Sequence, residues 1–211
     1  MKIVKLANHS VDLDLLSDIP TVLDVGCRGF DFTREILAIR PGARVIGMDP
    51  DVAILSSYFR AKQNPEMDSF KLMSFALVGD QRKTARYASY STGEGNFLTD
   101  LATYYNATFT EVPCMTISDL TYGRWWLAKY WDLVKLDCEG SEFGILENWP
   151  GPIAQQISVE FHDSGYTPGY GPDYDYTPMF SRLAGFGYHV RQHERSKQGD
   201  GTGHWDSLIT L

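Results

Sequence analysis

Short apolar runs alternate with amphipathic stretches along most of the chain, and turn residues such as Gly, Pro and Asp separate them. Apolar runs of about four to eight residues are typical of buried strands, whereas apolar positions at helical spacing predict helices. The predicted strands are Thr21–Val25, Arg44–Met48, Phe70–Leu77, Thr110–Ile117, Asp132–Asp137, Gln156–Phe161, Tyr188–His193 and Trp205–Leu211. The predicted helices are Phe32–Ile39, Val52–Ala61, Ser118 or Asp119 to Lys129, Glu139–Asn148 and Met179–Gly185. This alternation indicates βαβ units, and therefore an α/β fold with a parallel sheet covered by helices on both faces.

Two segments interrupt the alternation, and we interpret both as ligand-binding loops. Residues 81–110 are irregular, with one strand-like run and a turn sequence, STGEGN. Residues 162–178 are rich in Tyr, Pro and Gly, and form either a lid or a rigid loop packed by its own aromatic side chains. The tyrosines of this segment are Tyr166, Tyr170, Tyr174 and Tyr176. Neither segment resembles a linker, so residues 1–211 are predicted to form a single domain.

The carboxyl ends of the predicted strands carry polar residues or glycines. Ligands of parallel sheets bind beyond these ends, so the residues found there are candidates for one shared site. They are Asp24 to Gly29, Asp49, Ala76 and Leu77, Asp137 to Glu139, and Glu160 to Asp163. We expect all of them to converge on one edge of the sheet.

The first of these turns has features of a nucleotide site. Gly26 and Gly29 allow backbone amides at a helix N-terminus to approach a ligand, although a tight strand-to-helix turn would need the same glycines. Asp49 follows Gly26 by 49 − 26 = 23 residues, the usual distance for a carboxylate that binds a ribose diol. The alternative role for Asp49 is to cap the next helix. Together the two features predict nucleotide binding.

The same turn discriminates between two classes of cofactor. A dinucleotide fingerprint requires G-x-G-x-x-G, which this turn lacks. Asp24 places a carboxylate directly before the glycines, where it would repel a pyrophosphate but attract an ammonium or a sulfonium. S-adenosylmethionine (SAM) carries both of these cations and no phosphate. The sequence therefore favours SAM over NAD.

Charge and cysteine content limit the classes of binding partner and the cellular compartment that the sequence predicts. The chain has 19 basic and 27 acidic residues, a net charge of −8 and a pI near 5.0, which argues against binding to nucleic acid or to an anionic membrane. It shows neither a secretory signal nor an apolar window that could span a bilayer. Its three cysteines, Cys27, Cys114 and Cys138, form no C-x-x-C pair, which predicts a reducing, cytoplasmic setting.

These residues, taken together, resemble the FkbM-type SAM-dependent methyltransferases from about Thr21 to the C-terminus. The most specific match is VKLDCEGSEFGIL at Val134–Leu146, which is similar to the family pattern I-K-I-D-x-E-G-x-E-x-x-x-L. The other matching stretches are LDVGCRGFDFT at Leu23–Thr33, VIGMDP at Val45–Pro50, FALVGD at Phe75–Asp80 and ISVEFH at Ile157–His162. The chain departs from the family at Arg28, where Asn is frequent, and at Gly29, which comes one residue early.

The resemblance implies a Rossmann-like class I methyltransferase fold, with a mostly parallel seven-stranded sheet and an antiparallel last strand. It also implies methyl transfer to oxygen, often to a hydroxyl of a sugar or a natural-product-like acceptor. Strand ends and resemblance together predict the cofactor contacts Asp24, Gly26, Cys27, Arg28, Gly29, Asp49, Pro50, Ala76, Leu77 and Asp137. The expected partner is a small-molecule or glycan acceptor.

For catalysis, we hypothesise that Asp137 or His162 accepts the hydroxyl proton and that Glu139 positions the acceptor. The alternative for Glu139 and Glu142 is a pair of acids at a helix N-terminus, and the alternative for His162 is a structural histidine.

Three further interpretations stay open. The oxygen-rich set Asp137, Glu160, His162 and Asp163 could hold Mg²⁺ or Mn²⁺, but no sequence spacing supports a metal. The aromatic sequence Arg124-Trp125-Trp126, with Trp131, either packs against the sheet or forms a homodimer surface. The competing functions are a catalytically inactive SAM- or nucleotide-binding module and an NAD-dependent oxidoreductase.

Overall fold

The predicted alternation of strands and helices is confirmed around a central seven-stranded sheet. The computed structural model describes residues 2–90, 97–99, 107–123, 127–162, 175–197 and 203–211. The strands are β1 Ile3–Leu6, β2 His9–Asp12, β3 Thr21–Val25, β4 Arg44–Met48, β5 Phe70–Met73, β6 Ala76–Leu77, β7 Thr84–Ser89, β8 Phe97–Leu98, β9 Thr108–Met115, β10 Trp131–Leu136, β11 Ala154–His162, β12 His189–Lys197 and β13 Gly203–Thr210. The helices are α1 Asp31–Ile39, α2 Leu55–Ala61, α3 Ile117–Thr121, α4 Glu142–Glu147 and α5 Thr177–Gly185.

The central sheet has the predicted topology. Its strand order is β12-β13-β11-β10-β3-β4-β5, and the pairs from β11 to β5 are all parallel. The last strand, β13, runs antiparallel to both of its neighbours, β11 and β12. This arrangement confirms the Rossmann-like class I methyltransferase fold implied by the resemblance.

Helices cover both faces of this sheet because neighbouring strand residues point to opposite sides. On one face, Val22 and Val45 pack with Phe32 and Ile36 of α1 in one buried apolar cluster. On the other face, a second cluster combines strand residues such as Leu23 with apolar side chains from three helices. Those side chains are Ile117 and Leu120 of α3, Phe143 and Leu146 of α4, and Met179 and Leu183 of α5.

The prediction of one strand over Phe70–Leu77 is wrong, because the chain turns after Met73. The Met73 carbonyl accepts a last hydrogen bond from the β4 side, from the amide of Asp49, and a second one from the amide of Phe75, which closes the turn. Ala76 and Leu77 then pair with β9 in a separate four-stranded sheet of order β6-β9-β7-β8. The described part of the predicted loop 81–110 therefore contains strands that stand beside the end of the central sheet.

Two predicted helices are shorter than the sequence indicated. Of the helix expected up to Lys129, the described residues form a helix only over α3, whose N-cap is Thr116 in a capping box with Asp119. The helix expected from Glu139 begins only at Glu142, because Glu139 (φ 54°) and Gly140 (φ 104°) have left-handed backbone conformations. Among the described residues, no helix is both long and apolar enough to cross a membrane.

An N-terminal hairpin that the sequence did not predict packs beside the central sheet. Strands β1 and β2 pair antiparallel through a turn in which Ala7 and Asn8 have positive φ angles. Every residue of β2 is buried, and Gln156 of β11 exchanges two hydrogen bonds with the backbone of Asp12, at 3.0 and 3.1 Å. This pairing places His9, the first residue of β2, at the carboxyl end of the sheet.

Candidate active site

The carboxyl ends of the central strands surround a cavity of about 240 Å³. The predicted site residues that line it are Gly26, Arg28, Asp49, Pro50, Ala76, Leu77, Asp137 and Glu139. Side chains that the sequence analysis did not assign to a site complete its wall, namely Met48, Phe75, Tyr87, Phe97 and Leu98. The cavity therefore combines carboxylates at one end with an apolar, aromatic wall that the second sheet supplies.

A second cavity of about 410 Å³ shares Arg28 and Asp137 with the first. The predicted contacts Asp24 and Cys27 lie here rather than in the first cavity, together with the turn of the N-terminal hairpin. Asp24 is fully buried, and its carboxylate accepts a 2.7 Å hydrogen bond from the Thr33 hydroxyl. Gly29 lines neither of these two cavities.

Gly26 brings three strand ends together, and only a glycine fits its position. Its φ of 71° is left-handed, and a Cβ atom at this position would overlap the carbonyl oxygen of Asp137. Its amide donates to the Met48 carbonyl at 2.8 Å, and its own carbonyl accepts from Lys135 Nζ at 2.8 Å. The turn after β3 is thereby fixed against the ends of β4 and β10.

Lys135 and Asp137 form an ion pair at the end of β10. Lys135 Nζ is buried and lies 3.2 Å from Asp137 Oδ2 and 3.3 Å from Asp24 Oδ1. Burial lowers the pKa of Lys135, but the two carboxylates outweigh it and the net pKa is raised. Burial raises the pKa of Asp137, but Lys135 and the nearby His9 and His162 hold that pKa well below its usual range. Asp137 is therefore a permanent anion and a weak base.

Glu139 has a different environment, although it lies only two residues further along. It lines the first cavity with about a third of its side chain exposed. Burial and the neighbouring carboxylates of Asp137 and Glu142 raise its pKa, against the opposing effect of His162. Its left-handed backbone is unusual for a residue with a side chain, and such strain is concentrated at functional sites.

Glu142 holds this loop and His162 in place. It is fully buried and accepts hydrogen bonds from the amides of Cys138 and Gly140, at 2.7 and 2.8 Å. Its carboxylate also lies 3.2 Å from Nδ1 of His162. Burial lowers the pKa of His162, but Glu142, Glu139 and Asp137 raise it more strongly, to about 10. His162 is therefore an imidazolium at neutral pH, with both ring nitrogens as donors.

Asp49 lines the first cavity but not the second. Its Oδ1 accepts a 2.9 Å hydrogen bond from the amide of Asp51, and burial raises its pKa to about 6. The adjacent wall, from Met48, Phe75, Ala76 and Leu77, is apolar. A carboxylate beside an apolar slot suits a ribose diol attached to an adenine ring.

The sequence analysis missed two residues of the site, His9 and Tyr87, and predicted others that lie outside the described residues. Nothing in the sequence near His9 indicates that its ring lies 3.4 Å from Asp137, since 128 residues separate them. Tyr87 is the second missed residue, and the alternation of polar and apolar residues in β7 could have indicated that its side chain is on the buried face of the strand. Asp163, three of the loop tyrosines and Arg124 to Trp126 lie outside the described residues. Trp131 is fully buried in the core, as expected for packing against the sheet.

Solved structures share the fold at low sequence identity. An rRNA methylase from Streptococcus thermophilus has a TM-score of 0.50 and 7% identity, covering 93% of this chain and 89% of its own. The magnesium protoporphyrin IX methyltransferase from Synechocystis PCC 6803, solved with bound SAM, has a TM-score of 0.49 and 11% identity, covering 94% and 72%. The 16S rRNA (adenine(1408)-N(1))-methyltransferase from Catenulisporales acidiphilia has a TM-score of 0.48 and 14% identity, covering 100% and 97%. At these identities the likeness concerns the fold alone.

The sequence itself carries the family assignment. No curated protein sequence matches the chain. The methyltransferase FkbM domain matches residues 26–190, from the glycine turn after β3 to the start of β12. The match includes every predicted site residue from Gly26 to His162, while Asp24 and His9 precede it, and it agrees with SAM, rather than NAD, as the cofactor. The chain belongs to the FkbM methyltransferase family.

Proposed function

We propose that the chain transfers a methyl group from SAM to a hydroxyl oxygen of an uncharged small-molecule or glycan acceptor. The observation that carries the proposal is the position of Glu139, a carboxylate of raised pKa in the wall of the cavity. An aliphatic hydroxyl must lose its proton as it is methylated, and a carboxylate becomes a stronger base for that task when its pKa is raised. We propose that residues 1–211 do this as one domain.

The linings of the two cavities offer a contact for each part of the donor. Asp49 would accept hydrogen bonds from the ribose hydroxyls, and Ala76 and Leu77 would contact the adenine ring. Arg28, which lines both cavities, would pair with the carboxylate of the methionine portion. Asp24, buried in the wall of the second cavity, would attract its ammonium. When bound, SAM supplies a methyl group that is already activated by a sulfonium.

The catalytic roles follow from the charge states of the side chains. We transfer the role of the base from Asp137 or His162 to Glu139, because Asp137 is a weak base and His162 already holds a proton. Asp137 would orient the acceptor by accepting a hydrogen bond from a hydroxyl. His162 Nε2 lies 3.6 Å from Glu139 Oε2 and would keep that carboxylate aimed at the cavity.

The mouth of the site disfavours phosphate-bearing acceptors. The carboxylates of Asp137, Glu139 and Glu160 all lie within 3.9 Å of His162 Nε2. Asp137 and Glu139 also line the first cavity, and this concentration of carboxylates would repel a nucleic-acid backbone. Tyr87 and Phe97 add aromatic side chains to the wall, which suits the apolar face of a sugar or a natural-product ring. These features support residues 81–110 as a specificity segment.

The described C-terminal end of the segment 162–178 supports the interpretation of a rigid loop packed by its own aromatic side chains. Tyr176 stacks on Phe143, with ring centroids 5.1 Å apart, and meets Trp205 edge-on at 5.1 Å. This tyrosine is therefore packed on the core rather than held ready for a ligand. The role of the segment as a lid stays a prediction for its remaining tyrosines.

Glu139→Gln is expected to reduce methyl transfer by about 10²- to 10⁴-fold while leaving the affinity for SAM within a few-fold of the unchanged protein. The amide keeps the size of the side chain but cannot accept the hydroxyl proton. The experiment is a methyl-transfer assay over a panel of glycans and hydroxylated metabolites, paired with calorimetry of SAM and S-adenosylhomocysteine. Glu66→Gln, at an exposed site on another part of the surface, is the matched control.

Full turnover by Glu139→Gln would remove Glu139 from the mechanism. Tight binding of SAM and S-adenosylhomocysteine by the unchanged protein, with no transfer to any acceptor, would instead support the inactive binding module. Transfer only to amine acceptors would contradict O-methylation while leaving the SAM site intact.

Binding of SAM is expected to weaken as the pH falls below about 6. The ribose hydroxyls donate to ionised Asp49, whose pKa is raised to about 6 by burial, so a protonated carboxyl must first lose its proton. The affinity should fall up to about tenfold per pH unit below that value. Calorimetry at pH 5, 6, 7 and 8 measures the effect, and Asp49→Asn should bind weakly with a flatter pH profile. Equal affinity at pH 5 and pH 8 would exclude this role for Asp49.

A further inference from the structure

Three metal-ligating side chains from three different strands converge beside the cavity. They are His9 of β2, Asp137 after β10 and Glu160 of β11. His9 Nε2 lies 3.4 Å from Asp137 Oδ2 and 4.0 Å from Glu160 Oε2, and one ligand atom from each of the three residues falls within a 4.8 Å span. For bonds of about 2.1 Å, neighbouring ligands on one ion lie about 3.0 to 3.4 Å apart, so small rotations would complete a site.

The environment of His9 is the second, independent observation. Its side chain is 97% buried, a burial unusual for an imidazole, and the Nδ1 atom has no hydrogen-bond partner among the described residues. The ring packs edge-on to Phe32, and its polar contacts run from Nε2 to the two carboxylates. Packing therefore holds the ring with Nε2 presented to both carboxylates, the orientation that a metal ligand requires. Coordination at Nε2 would leave Nδ1 as it is, so the orientation of Nε2, rather than the unpaired Nδ1, supports a metal.

We propose that His9, Asp137 and Glu160 bind one divalent first-row transition-metal ion at the carboxyl end of the sheet. One imidazole nitrogen and two carboxylate oxygens suit Mn²⁺, Fe²⁺ or Zn²⁺ better than Mg²⁺, which prefers oxygen ligands and water. The set differs from the one considered in the sequence, since His9 replaces His162 and Asp163 lies outside the described residues. His162 already contacts Glu142 through Nδ1, on the α4 side of the site.

Lys135 lowers the metal affinity expected of this site, but its ammonium does not occupy the position of the metal. Its ammonium shares Asp137 Oδ2 at 3.2 Å, but it is anchored on the β3 side by the carbonyls of Val25 and Gly26, at 3.1 and 2.8 Å. His9 and Glu160 approach the same carboxylate from β2 and β11. Because Lys135 already neutralises part of the charge of Asp137, we expect moderate rather than tight metal affinity.

The location gives the ion a use in the reaction. Asp137 lines both cavities, so an ion at this carboxylate stands where the donor and the acceptor meet. There it would bind the acceptor hydroxyl and make its proton easier to remove. This use rests on the proposed function, whereas metal binding itself does not.

The test is a titration of Mn²⁺ into the full chain, purified without a polyhistidine tag and freed of metal by EDTA, with no SAM and no acceptor present. Electron paramagnetic resonance of free Mn²⁺ should show one ion bound per chain. His9→Asn and Glu160→Gln should each weaken binding by at least about tenfold, because even an outer-shell partner is worth that much. His189→Asn, which changes an exposed histidine on β12, should bind as the unchanged protein does.

The possible outcomes separate the two proposals. No bound Mn²⁺ in this titration, with no bound Zn²⁺ by calorimetry, would overturn the metal site and leave the proposed function standing. Equal binding by Glu160→Gln and the unchanged protein would also overturn it, and this variant covers the case in which His9→Asn fails to fold. Metal binding that depends on His9, in a protein that methylates no hydroxyl, would contradict the proposed function alone. Zn²⁺-dependent shifts of the His9 ring resonances in the unchanged protein give a readout that needs no variant.

Discussion

Gly26→Ala is expected to abolish SAM binding and to lower the free energy of unfolding by about 3 kcal/mol or more. The new methyl group would overlap the carbonyl oxygen of Asp137, in backbone that offers no flexible side chain to move aside. Relief would require the turn after β3 to separate from the end of β10. That separation would break the hydrogen bonds from Lys135 to the carbonyls of Val25 and Gly26 and would distort both cavities. Urea denaturation and calorimetry with SAM measure the two effects.

Gly29→Ala is the matched control for this prediction. Gly29 has a similar φ, 76°, but a Cβ there would meet only the side chain of Asp31, at 3.4 Å. Its cost should therefore be the backbone strain alone, about 1 to 2 kcal/mol, with SAM binding largely kept. If the two variants lost stability and affinity equally, the close approach to Asp137 would not be what requires glycine at position 26.

The middle of the central sheet was predictable because β3 and β4 are short, mostly apolar runs. Thr21–Val25 and Arg44–Met48 were predicted with their observed bounds, since residues buried on both faces leave a plain hydrophobic signal. The run from Phe70 to Leu77 carries an equally apolar pattern, but it spans two sheets. A hydrogen bond within the chain at Met73 decides where the first strand ends, and apolar patterning does not encode such a turn.

The candidate site was predictable only where it depends on strand ends. Asp49 and Asp137 follow buried strands, so their place at the edge of the sheet follows from topology. The role of Glu142 did not follow, because the left-handed conformation of Glu139 delays the helix and turns Glu142 into a buried acceptor. His9 was not predictable either, since its position depends on a hairpin whose packing against Gln156 is a long-range contact.

Between about pH 7 and pH 9.5, the free energy of unfolding is expected to fall as the pH rises, and His162 is the residue responsible. Its pKa is about 10 in the folded chain and about 6.5 in an unfolded one. In this range the folded protein holds a proton that the unfolded chain has released, so raising the pH favours unfolding. The contribution of one such group is at most about 1.4 kcal/mol per pH unit. Urea denaturation at half-unit pH intervals gives the slope.

Two variants assign that slope to the contact between His162 and Glu142. His162→Gln removes the titrating ring while keeping a donor for Glu142, so its stability should change less with pH than that of the unchanged protein. Glu142→Gln removes the nearest carboxylate, 3.2 Å from Nδ1, and should lower the pKa of His162 as followed by NMR of the ring. It should also destabilise the fold at neutral pH, because two buried amides and an imidazolium lose an anionic acceptor. An unchanged pKa of His162 in Glu142→Gln would show that Glu139 and Asp137 hold the proton instead, and Glu142 would then be only an anchor for the loop.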